Sequence, residues 1–138
     1  MTNYKTIWTQ FMDMHSGGRC KEEPYEFIYI EAPESEARII FYNRFGHSPS
    51  RVSCTCCGED YSVSEGTLDQ ISAYFRGCRY EENERRYVEK PNSERWSREY
   101  TRLADYLQSP NVLAIPVFQI KREERLGSVP EQGYVWRD

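Results

Sequence analysis

The chain reads as one α+β domain, an antiparallel or mixed sheet with about three helices packed on it and a zinc-knuckle-like β-hairpin. Three observations predict this. Aromatic and β-branched runs are interspersed with segments of helical spacing, without the regular strand–helix–strand alternation of a parallel fold. One segment, Ala37 to Phe45, carries its apolar residues on a single helical face. A cysteine-rich turn, Cys54-Thr55-Cys56-Cys57-Gly58, stands inside a β-prone stretch.

Tyr4 to Met14 places Ile7, Phe11 and Met14 among polar residues, and Tyr25 to Ile30 is aromatic and β-branched, so both read as strands. Between them Ser16-Gly17-Gly18-Arg19-Cys20 reads first as a flexible hairpin loop and second as one whose glycines bring backbone close to a ligand. Pro33, Glu34 and Glu36 open a helix, with proline in the first turn where its missing N–H costs nothing and acids at the positive dipole end. Ala37, Ile40, Phe41 and Phe45 form its buried face, and Gly46 offers a left-handed stop.

Val52 to Val63 reads as two short strands folded about the cysteines. Thr67 and Gln70 make a capping box for a short helix through Phe75, ended by Gly77. Glu81 to Ser93 reads as a polar surface loop. Ser93 caps a third helix in which Trp96, Tyr100, Leu103 and Leu107 make the buried stripe and Glu94, Arg95, Arg98, Glu99 and Arg102 the solvated face. Asn111 to Ile120 is the most strand-like segment, with Pro116 placing it at an edge or a bulge, and Tyr134 to Trp136 adds a terminal strand.

The length of 138 residues suits a single domain spanning 1–138 that buries roughly two-thirds of its unfolded surface. A net charge of −4 from intermixed signs gives no field that would draw a nucleic-acid backbone or an anionic membrane. No apolar run approaches the roughly 20 residues needed to cross a bilayer, and the N-terminus lacks a signal-peptide pattern. The five cysteines are an odd number, which fits a reducing cytoplasm in which clustered thiols turn toward metal or redox chemistry.

Cys54 and Cys57 have the two-residue spacing of a zinc knuckle, and Gly58 follows to permit the tight turn. The second pair of a zinc ribbon is absent. Cys78 is the third ligand this spacing offers, and the fourth comes from His15, His47, Cys20 or Cys56, of which His15 is preferred because the end of the first strand can neighbour the turn. A structural zinc competes with a set of reduced cysteines acting as small hydrophobes. A thiol oxidoreductase is disfavoured, because Gly58, Glu59, Asp60 and the β-prone Tyr61 to Val63 follow the pair instead of the helix that would lower a thiol pKa.

No nucleophile, base and acid arrangement is recognisable around the two histidines, and Asp13 with His15 reads more readily as an exposed polar pair than as an oriented imidazole. Gln119-Ile120-Lys121 faintly matches the acid-x-lysine end of a metal-dependent nuclease, but its upstream acid would be Asp105, placed mid-helix. No phosphate loop or metalloprotease helix is present.

Through the strings Trp8 to Gly18, Tyr29 to Pro33, Ile40 to Gly46, Cys54 to Gly58 with Asp60 to Glu65, and Gln132 to Trp136, spread along nearly the whole chain, it resembles a group of small proteins of tailed bacteriophages. The resemblance implies a viral origin and expression in the cytoplasm of a bacterial host, and it carries over no catalytic residue. Small phage proteins without enzymatic motifs often act by stoichiometric binding, an argument by analogy. The expectation is therefore a non-enzymatic accessory protein, of host-takeover or anti-defence type, that binds a host protein or a small signalling molecule. His15, Gly17, Gly18 and Arg19 with Gln132, Tyr134 and Trp136 are the candidate ligand-binding residues. Two alternatives remain: a zinc-knuckle nucleic-acid module using Arg51, Arg76 and Arg79, and a small metal-dependent hydrolase with a dispersed site.

Overall fold

The computed structural model of the chain describes residues 6–14, 22, 24–52, 58–72, 78–81, 83, 86–89 and 103–129. Its strands are β1 (Trp8–Asp13), β2 (Phe27–Ile30), β3 (Tyr61–Gly66), β4 (Cys78–Glu81), β5 (Arg86–Glu89) and β6 (Val112–Ile115). Its helices are α1 (Glu34–Phe45), α2 (Leu68–Ile71) and α3 (Leu103–Tyr106), followed by 3-10 turns at Val117–Gln119 and Arg122–Arg125. Four strands form a mixed sheet in the order β3-β1-β2-β6, while β4 and β5 pair separately as an antiparallel ribbon. The α+β class expected from the residues is the one observed.

Side chains alternate across a strand, and here both sets are covered. Phe11 of β1 lies opposite Ile28 of β2 and Val63 of β3 in antiparallel register, and Ile28 lies beside Leu113 of β6 in parallel register. One face therefore packs Phe11, Ile28, Ile30 and Ile115 against Ala37, Ile40 and Phe41 of α1. The other packs Trp8, Phe27, Tyr29 and Val112 against Leu68 and Ile71 of α2 and against Tyr106 and Leu107. Burial on both faces explains why Phe27 to Ile30 is apolar without interruption, since such a strand has no solvent side to mark with polar residues.

Local signals account for α1. The Ala37 N–H donates to the Pro33 carbonyl at 2.8 Å, Glu34 and Glu36 occupy the first turn, and Gly46, at φ 81°, donates to the Tyr42 carbonyl at 2.8 Å. Pro33 itself is the cap, one residue outside the first turn where the sequence reading put it. Phe41 is the hub of the layer, with ring centroids 4.7 Å from Phe11, 4.7 Å from Phe45 and 5.0 Å from Tyr61. Each such aromatic contact adds about 1 kcal/mol beyond area burial.

Several expectations need correction. The strand read from Asn111 to Ile120 stops at Ile115, because Pro116 offers no N–H and the chain tightens into a 3-10 turn. Pro116 does mark an edge, since β6 is the last strand of its sheet among the described residues. Arg86 to Glu89, within the expected surface loop, is a strand whose partner is β4. The helix read through Phe75 leaves helical geometry at Ser72, with ψ 134°. Its N-terminus is as expected in one respect, the Gln70 Oε1 accepting the Thr67 N–H at 3.0 Å. Of the first of the two strands expected over Val52 to Val63, Val52 is described and is not in a strand, whereas β3 runs past Val63 to Gly66. The candidate knuckle itself, at 53–57, the Trp96 and Tyr100 part of the third helix, and the terminal strand at Tyr134 to Trp136 lie outside the described residues.

A polar chain threads the face that carries Trp8. Gln10 is buried, and its Nε2 donates to the Tyr29 hydroxyl and to the Ile71 carbonyl, each at 2.9 Å. The Tyr29 and Tyr106 hydroxyls lie 2.8 Å apart. The chain joins β1, β2, α2 and α3. Replacing Gln10→Leu keeps the volume and strands buried polar partners, so a loss of about 2 kcal/mol is expected in urea unfolding at neutral pH; a loss below a few tenths would show that the network contributes nothing.

Candidate functional site

The segment after β6 is tied to α1 and β2 at many points. The Val117 N–H donates to the Glu31 carboxylate at 2.9 Å. Arg44, near the end of α1, grips Glu124 with two bonds, Nε to Oε2 at 2.7 Å and Nη2 to Oε1 at 2.8 Å, and Nη2 also reaches the Gln119 carbonyl at 3.2 Å. Asn43 Nδ2 donates to the carbonyls of Glu124 and Leu126 at 2.8 and 3.0 Å. Arg125 pairs with Glu36 at 3.2 Å.

This pinned segment presents large apolar side chains to solvent. Phe118 is 62% exposed, Leu126 61% and Val117 43%. Beside Phe118 lies a cavity of about 190 Å³, lined also by Ala104, Leu107, Gln108, Ala114, Pro116 and Gln119. Single exposed apolar residues are ordinary on a protein surface. An exposed aromatic on a preorganised backbone next to a cavity is the arrangement of an interface anchor, because little ordering entropy remains to be lost on binding.

A second arrangement surrounds His47. Its Nε2 lies 2.7 Å from Glu22 Oε1, and Nδ1 lies 3.4 Å from the Ser48 carbonyl. The ring stacks on Tyr61 at 6.3 Å and meets Phe41 edge-on at 5.5 Å. Next to Tyr61 the Asp60 N–H donates to the Arg51 carbonyl at 2.8 Å. Gly58, the glycine expected to permit a tight turn, has a left-handed φ of 73°. Arg51 Nε is buried with no hydrogen-bond partner among the described residues.

The residues singled out from the sequence are mostly not placed. Cys54, Cys57 and His15 of the candidate metal set, and His15, Gly17, Gly18, Arg19, Gln132, Tyr134 and Trp136 of the candidate ligand set, lie outside the described residues, as do Cys20, Cys56 and Arg76. Cys78 begins β4, opposite Glu89. Among the described residues no three His, Cys, Asp or Glu side chains gather closely enough to hold a metal ion. His47, an alternative fourth ligand, is engaged by Glu22. Asp105 does lie on a helix, and Gln119 ends a 3-10 turn instead of a strand, so the nuclease-like reading loses its strand. No helix of the described residues is long and apolar enough to cross a membrane.

The Phe118 platform escaped the sequence reading. Val117 and Phe118 continue the apolar run of Asn111 to Ile120, which reads as a strand at an edge or with a bulge at Pro116. No family model, curated protein or solved structure matches the chain.

The Arg44 hydrogen bonds hold the Glu124 carboxyl down to about 2 from its ordinary 4.5. A depressed folded-state pKa contributes stability above the unfolded value, and that contribution fades as pH falls from about 4.5 through about 2. Glu124→Gln is expected to cost about 1 kcal/mol at pH 7, after allowance for partial exposure, with the deficit shrinking toward pH 2. Urea midpoints of both proteins across that range are the measurement, and a deficit independent of pH would contradict the assignment.

Proposed function

We propose that this chain is a bacteriophage accessory protein that acts without catalysis, by stoichiometric binding to a host protein in the bacterial cytoplasm. The observation that carries the binding surface is Phe118, exposed on a segment tied down by Arg44, Asn43 and Glu31 beside a cavity of about 190 Å³. That volume lies below the roughly 300 Å³ where small-molecule sites begin, so it suits one apolar side chain of a protein partner better than a signalling nucleotide. The viral assignment is supported by the sequence resemblance alone. A small signalling molecule would instead engage His15, Gly17, Gly18 and Arg19 with Gln132, Tyr134 and Trp136.

A structural zinc on Cys54, Cys57, Cys78 and His15 completes the reading. Its support is the two-residue spacing and the left-handed Gly58 that follows. The zinc stiffens the body; it takes no part in a reaction.

Phe118→Asp is the direct test of the surface. The tagged wild-type protein, incubated with lysate of a susceptible host, is expected to retain a host protein in near-equal amount. The variant, with an unchanged melting temperature, is expected to bind it at least about thirty-fold more weakly, the loss typical of an anchor residue. Equal retention by both proteins, or none by the wild type, would rule the surface out.

Elemental analysis tests the metal. The purified protein is expected to hold stoichiometric zinc, and Cys57→Ser to lose both the zinc and several degrees of thermal stability. A metal-free wild type whose stability is indifferent to chelator would return the cysteines to the role of buried thiols.

A further inference from the structure

We draw no further inference here: the strongest candidate, the Glu22-bound imidazole of His47 stacked on Tyr61 beside the contact of Asp60 with Arg51, carries nothing because the neighbouring cysteines it would need, Cys54, Cys56 and Cys57, lie outside the described residues.

Discussion

A carboxamide in an apolar layer must find partners or leave, and Gln10 stays because its Nε2 meets the Tyr29 hydroxyl and the Ile71 carbonyl inside the protein. That requirement ties together elements that hydrophobic contact alone would hold only loosely. Sliding β1 by one residue would turn Gln10 onto the α1 face and Phe11 onto the α2 face, separating the amide from both acceptors and Phe11 from Phe41. The register of the central pair is thus set by a polar contact on one face and an aromatic one on the other. Tyr106, 2.8 Å from Tyr29 through the hydroxyls, extends the same constraint to α3 and hence to the start of β6.

With the sheet in place, the course of the chain after β6 follows. Ile115 is the last residue that can pair with β2, Pro116 ends the pairing, and Glu31 captures the next N–H. From there the chain lies along α1, where Asn43 and Arg44 take carbonyls and a carboxylate from it. These are polar tethers from the backbone outward. The side chains of Val117, Phe118 and Leu126 are left over, with no layer to enter because α1 is already committed to the sheet through Ala37, Ile40 and Phe41. A rigid support under exposed apolar groups is what separates this surface from a merely loose loop.

Legibility in the sequence tracked the range of the interaction. Helix α1 was visible from Pro33 to Gly46 because its caps, charges and apolar spacing all lie within the segment. The runs that became β1, β2 and β3 were visible as β-prone stretches, though not their order or direction. The β4 and β5 ribbon was missed because its charged residues read as loop, and strand pairing compensates for a polar composition only once a partner is present. In the third helix Leu103 and Leu107 of the expected stripe do pack on the core, and Tyr106, outside that stripe, is buried beside them against Tyr29.

The cysteine turn was legible only as spacing, since a metal set needs residues from distant parts of the chain. By itself the sequence determined the α+β class, the α1 boundaries to within a residue and the left-handed Gly46 that ends it, and it left an edge or a bulge open at Pro116, all of which follow from local sterics and short-range hydrogen bonding. Tertiary structure alone decided that Gln10 would be buried, that β6 would lie parallel to β2, that His47 would meet Glu22, and that Phe118 would face solvent. Each of these depends on partners far away in the chain, sixty-one residues in the case of Gln10 and Ile71. Hydrophobicity and propensity, being properties of one residue and its neighbours, carry no record of which distant group will arrive.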